Sequence, residues 1–319
     1  MVTRIWILLV LMFAAAAWLP GQQGSVSGPT AGFVFDSSAH SLRPVMGVPG
    51  ASVIGDPVKF DFDLAAASVA PAQDLAVAAA ADGGLHIFRL VSGAVSERTV
   101  DGVSALPERV VFSPSGTAAA LYAAGKAQIL TGLPDAPVLA GSMDLGGTPS
   151  ALALSDDGQY LLYAAGGSVQ LISAGGNRKL MDAGDGAVVA FAPGILNAAV
   201  LDPGGAGVVL FRDLAGASQQ TVVAAPDDGM ASPVGLAFSA AGRKLLVASR
   251  SARSVSSFDL ETGDRGAFPC NCVPTGFVSM GNLLRLNELG TDPLWLFDAG
   301  ADDPRIVFVP AMAPPVVNF

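Results

Sequence analysis

The sequence predicts an all-β fold, a β-propeller of four-stranded blades, on three observations. Turn formers are dense, with 38 Gly and 22 Pro in 319 residues. Hydrophobic residues make up 51% of the chain, spread over many short Ala/Val/Leu runs. One strand–turn–strand pattern recurs with the period of a propeller blade. Short apolar runs cut by frequent turns mark an all-β domain.

The recurring unit is an apolar strand, a turn carrying Ser or Ala and closing on Gly, and a second apolar strand. Phe112-Ser113-Pro114-Ser115-Gly116 precedes residues 117–124, and Leu154-Ser155-Asp156-Asp157-Gly158 precedes 159–165. Phe191-Ala192-Pro193-Gly194, Phe238-Ser239-Ala240-Ala241-Gly242 and Val278-Ser279-Met280-Gly281 repeat it, and Val69-Ala70-Pro71-Ala72-Gln73 is a weaker copy. The second residues of these units, at 70, 113, 155, 192, 239 and 279, are spaced by 43, 42, 37, 47 and 40. Pro fixes φ early in such a turn and Gly supplies a positive φ later.

Third strands follow at 84–90, 126–131, 168–173, 207–213, 254–260 and 293–298. More polar fourth strands follow at 178–183 and 219–224, as suits an outer edge. A single sheet of this kind cannot bury two apolar faces alone, so the units must stack in a ring. Six units run from about 63 to 310. Residues 31–48 look like the third and fourth strands of a further blade, with Pro315–Phe319 as a strand beside them. Closure by strands from both termini removes an exposed sheet edge. Seven blades is the expectation and six the alternative.

Residues 1–21 have the layout of a secretory signal peptide: Arg4, an uncharged apolar core from Ile5 to Trp18, and small residues at Ala14–Ala17. That core is short for a transmembrane helix, and no later run approaches the ~20 residues a span needs. The mean hydropathy of +0.52 therefore does not require a membrane span. The expectation is an exported chain, secreted or periplasmic, with one propeller over 22–319. A net charge of −10 disfavours nucleic acid and anionic lipid as partners. A protein or envelope component is the expected partner class, and the propeller itself is expected to be a monomer.

No catalytic constellation stands out. The two histidines, His40 and His86, lie in no metal-binding motif, and no nucleophile elbow or phosphate loop occurs. Neither catalytic nor metal-ligating residues are assigned, and no cofactor is implied. Asp156-Asp157, Asp227-Asp228 and Asp302-Asp303 suit turns better than calcium, which needs six to eight oxygens. Asp213, Asp259 and Asp298 recur at third-strand ends, a placement that suits capping.

The feature outside the repeat is Cys270-Asn271-Cys272, the only two cysteines, in a link between blades. Residues i and i+2 of an extended strand stand about 6.5–7 Å apart, at the edge of what a disulfide spans. A bridge thus needs a turn at Asn271, and an oxidising compartment favours it. Two free thiols, a redox or intermolecular role, and metal binding are the alternatives; the last lacks further ligands.

The stretch Lys244–Gly263 combines an aliphatic strand ending in Ala248-Ser249, a polar turn, a Val-containing strand, and Asp259-Leu260-Glu261-Thr262-Gly263. It resembles the YVTN-type repeat of bacterial and archaeal surface propellers. The Phe-Ser-Pro-x-Gly turns resemble those of TolB-like and WD40-like propellers. The Trp-Asp and Gly-His signatures of WD40 repeats are missing, and Trp295 is the one Trp after the signal segment. The resemblance implies a propeller fold and export, and it leaves open a binding module, a scaffold or an enzyme. A non-enzymatic binding or scaffold propeller is the leading expectation. A hydrolase or lactonase-like enzyme with carboxylates or His converging on the central channel is the alternative.

Overall fold

The computed structural model describes residues 28–91, 94–103, 106–205, 207–226, 228–301 and 303–312. The expected signal segment 1–21 and the expected strand Pro315–Phe319 lie outside them. Among the described residues, all regular structure is strand, arranged as seven antiparallel sheets. Six sheets have four strands and one has three. The protein is a seven-bladed β-propeller.

Blades 2 to 7 each run inner to outer in chain order. Their innermost strands are Leu64–Val69, Arg109–Phe112, Ala151–Leu154, Val188–Phe191, Pro233–Phe238 and Val278–Met280. The third strands Lys126–Thr131 and Ser168–Ser173 fall where the sequence places them. All first hairpins lie on one face of the ring, hereafter the turn face. The links from one blade's outer strand to the next blade's inner strand lie on the other, the link face.

The repeat residues close the first hairpins. Ser113 Oγ accepts from Ala118 N at 3.1 Å, Ser155 Oγ from Tyr160 N at 3.0 Å, and Ser239 Oγ from Lys244 N at 3.1 Å. Each hydroxyl thus satisfies a backbone donor as the chain reverses. Gly158 is required twice over. Its φ is +71°, and a Cβ there would stand 2.9 Å from Thr131 Cγ2 of the preceding blade.

The core is a set of seven apolar layers, one per blade interface. Ala153, Leu162, Leu171, Val189, Val200 and Phe211 make the layer between blades 4 and 5. Two of the layers close the ring: Val34 and Val45 pack on Met280, Leu294 and Val309, while Leu42 packs on Leu64, Ala78 and Phe88. Second strands are buried on both faces, as in Leu161–Ala165, which explains their unbroken apolar runs.

Blade 1 departs from the expectation. Residues 31–48 do form two strands, Thr30–Asp36 and Ser41–Val48, but a third follows at Ala51–Ile54. Direction and neighbours place these three in the second, third and fourth positions. The strand Thr30–Asp36 begins at the turn face, where a Cβ on Gly32 would collide with Met280 and Phe33 N donates to Gln73 Oε1 at 2.7 Å. It ends at the link face, where His40 O accepts from Leu64 N at 2.8 Å. Innermost strands run the opposite way. Val58, Phe60 and Phe62, which follow the short Ala51–Ile54 strand, fill the space against Phe88, with Phe60 and Phe88 ring centroids 4.8 Å apart.

Candidate functional site

The innermost strands surround a central channel of about 430 Å³. Its wall is built from the ends of those strands: Val111 and Phe112, Leu152, Val189 and Phe191, Leu236 and Phe238, and Phe277. Strand alternation explains this, because an inner strand with one blade interface on each side has little room for charge. The polar lining is Ser115, Ser239, Ser279 and Asn282. No His or carboxylate lines this part of the channel among the described residues.

The channel continues into a second cavity of about 420 Å³ beside blade 1, lined by Phe33, Phe35, Val69, Gln73, Arg285 and Glu288 among others. Arg285, on the second strand of blade 7 (Leu283–Arg285), is the one charge on that strand. Its side chain is 11% exposed, and Nη2 donates to both Glu288 carboxylate oxygens at 2.6 Å. Burial pulls the guanidinium below its ordinary pKa, and Glu288 offsets part of that pull. Arg285 Nε is buried with no hydrogen-bond partner among the described residues. Sequence reasoning missed this pair; a lone Arg in Leu283-Leu284-Arg285-Leu286 was the available signal.

Cys270 and Cys272 lie in the link between blades 6 and 7, as the register placed them. Their Cα atoms are 5.1 Å apart, closer than in an extended strand, so the chain does turn at Asn271. Cys272 is 4% exposed, and its carbonyl accepts from Arg253 Nε at 3.1 Å. Exposed Val273 and Val278 follow in the same stretch.

The other singled-out residues serve the scaffold. Asp156 Oδ1 accepts from Ser115 N at 2.7 Å and Ser115 Oγ at 2.6 Å, and Oδ2 accepts from Gly194 N at 2.8 Å. One carboxylate therefore bolts together the turns of blades 3, 4 and 5. Burial raises its pKa, yet the hydrogen bonds from Ser115 and Gly194 outweigh it and leave the group below its ordinary value. Asp157 Oδ1 accepts from Ser155 Oγ and Gln159 N, so this pair is turn chemistry. Asp259 Oδ1 caps the next turn, accepting from Glu261 N and Thr262 N at 3.0 Å each. His86 Nδ1 meets Glu97 Oε1 at 2.6 Å, and its ring lies 4.3 Å from that of Phe62 at a tilt of 36°. Asp227 and Asp302 lie outside the described residues. No group of three or more His, Cys, Asp or Glu is placed to hold a metal among the described residues. Nor is any helix there long and apolar enough to cross a membrane.

No family model matches the chain, and no curated protein does. Solved structures do share the fold. A candidate 6-phosphogluconolactonase from Bacteroides uniformis superposes with a TM-score of 0.58 at 14% identity, covering 88% of this chain and 95% of its own. Its counterpart from Bacteroides fragilis gives 0.56 at 14%, covering 87% and 96%. Hydrazine synthase of Kuenenia stuttgartiensis gives 0.56 at 15%, covering 89% and 100%. At these identities the likeness is one of fold.

Proposed function

We propose that this propeller is an exported, non-enzymatic binding or scaffold module, acting as a monomer on a protein or envelope partner. The observation that carries the reading is the channel. Its wall is apolar, and among the described residues the ionic pair lining its extension, Arg285–Glu288, neutralises itself. A catalytic centre needs titratable groups held near a shared reacting atom, with room for substrate between them. The YVTN-type resemblance supports export of such a module, and the Asp259–Thr262–Gly263 turn gives that motif a structural role. In this reading Cys270 and Cys272 are joined as a disulfide that fixes the blade 6–7 link, with Val273 and Val278 presented beside it.

The alternative is a lactonase-like hydrolase, favoured by fold neighbours named for that activity. A phosphorylated sugar lactone would need a free cation in the channel, and Arg285 is already held by Glu288. The deciding measurement is hydrolysis of 6-phosphogluconolactone by purified protein, alongside metal analysis. The expected outcome is no rate above the uncatalysed one and no stoichiometric Ca or Zn. Turnover, or a bound metal, would overturn the scaffold reading. Cell fractionation tests export, and mass spectrometry before and after reduction tests the disulfide by the gain of two hydrogens.

A further inference from the structure

We propose that a cavity on the turn face between blades 7 and 1 takes the cationic side chain of a lysine or arginine presented by a protein partner, with Asp298 as its counter-ion. The cavity measures about 400 Å³. It lies where the blade 1 hairpin that pairs Val48 with Ala51 meets the end of the third strand of blade 7, Leu294–Asp298. That the side chain comes from a protein rests on the binding-module reading; the preference for a cation rests on the pocket itself.

Asp298 departs from its counterparts. The sequence places an Asp at the end of the third strand in blades 5, 6 and 7, where it suits capping. Blade 6 follows that pattern, with Asp259 Oδ1 accepting from Glu261 N and Thr262 N. In blade 7 the strand runs into Ala299-Gly300-Ala301, and among the described residues no donor meets the Asp298 carboxylate. A Cβ on Gly300 would stand 4.0 Å from Asp298 Oδ1, so the carboxylate lies along the turn without capping it. The residue is nonetheless 8% exposed, and it lines the cavity. A carboxylate withdrawn from water with no donor beside it is among the costliest groups a fold can hold. Buried polar groups nearly always have a partner, and one that finds none within the chain marks a place for a partner from outside.

The rest of the pocket selects the kind of cation. Pro29, Val48, Pro49, Met280 and Leu283 give it apolar walls, and Thr30 and Asn282 are its other polar side chains. A metal ion needs several oxygen ligands, and one carboxylate does not supply them. A lysine or arginine side chain matches both features, its apolar stem against the walls and its charged head on Asp298. The cavity falls within the roughly 300–1,000 Å³ of small-ligand sites. Val48 at its rim is 54% exposed, so a side chain carried on a partner's surface can enter. The net charge of −10 draws a basic partner toward this face.

NMR titration of the intact protein with N-acetyl-arginine methylamide and N-acetyl-lysine methylamide tests this, because each probe carries its one charge on the side chain. Both should bind with a Kd on the order of 1 mM and shift the amides of residues 47, 48 and 298–301. N-acetyl-citrulline methylamide, the neutral isostere of the arginine probe, should bind about 10-fold more weakly. Asp298→Asn should weaken both cationic probes by about 10-fold and leave the urea midpoint unchanged, since the carboxylate holds nothing within the chain. Absence of those shifts, equal binding of the citrulline probe, or undiminished binding by the variant overturns the proposal. A variant that loses stability assigns Asp298 to the scaffold and overturns it as well. Val48→Trp narrows the mouth from an exposed position and should weaken the probes with Asp298 in place; unchanged binding overturns the placement. None of these outcomes touches the binding-module reading, which the lactone and metal assays decide.

Discussion

In blades 3, 4 and 5 one carboxylate, Asp156, ties three turns together, and the Ser hydroxyls of the repeat close two of their hairpins. At the seam of blades 7, 1 and 2, among the described residues, no carboxylate joins three turns, and Asp36 holds only the turn of its own blade. Gln73, held at a positive φ of 62°, reaches to Phe33 and Ser279, and Phe60 and Phe62 wedge the outer side. The regular side is held by residues that the repeat encodes at fixed offsets. The seam is held by long side chains reaching over a gap. A ring built from copies thus concentrates its irregular chemistry at the one interface where the chain must meet itself.

Large-to-small changes in the two halves give the widest contrast. Leu162→Ala, in the fully buried layer between blades 4 and 5, should cost about 4 kcal/mol in urea unfolding. Leu42→Ala, equally buried at the seam, should cost about 2.5 kcal/mol, because the adjoining cavity lets neighbours collapse into the space. An equal or larger loss at Leu42 would break the contrast. Asp156→Ala strips acceptors from Ser115 N and Gly194 N and should cost about 2 kcal/mol by the same assay. Gly158→Ala forces a β-carbon into the left-handed region against Thr131 and should cost about 1–2 kcal/mol; a neutral effect would mean the turn relaxes freely. Gln73→Ala, which removes the seam's reaching side chain, should cost about 1 kcal/mol.

The smallest effect is a pH dependence. Asp156 and Asp36 both titrate below the ordinary carboxylate value of 3.8 in the folded protein. For Asp36, burial pushes upward and the bonds from Ser38 and Arg43 prevail. A depressed folded pKa means the stabilisation is complete above 3.8 and is lost as pH falls through the lower folded values. Denaturant midpoints should therefore drop below pH 4, and Asp156→Asn should flatten part of that slope. A slope unchanged in the variant would place the acid sensitivity elsewhere.

The first turns and third strands of blades 2 to 7 were legible because most carry a local signal: Gly closing the turn in blades 3 to 7, Pro early in it in blades 2, 3 and 5, then an apolar run. Lys126–Thr131 and Ser168–Ser173 show how far that signal reaches. Blade 1 was legible as strands and not as positions. Its first turn, Ser37-Ser38-Ala39-His40, has no Gly, and His40 itself takes the positive φ of 49°. Nothing local tells a second strand from a third when both are apolar on two faces. Ala51–Ile54 went unseen because four residues with alternating exposure carry almost no pattern. The channel's apolar wall was hidden for another reason. Which strand ends converge on the axis depends on ring closure, and ring closure is not a local property.

The hydrogen bond from Gln73 to Ser279 joins residues 206 apart in the chain. The layers between most blades form from neighbours one repeat away, and such contacts close quickly. The seam must wait until the last blade exists, while the strand Thr30–Asp36, made among the first, stays exposed. Closing that long loop is the entropically costly step, so the rate of folding should be set at the seam.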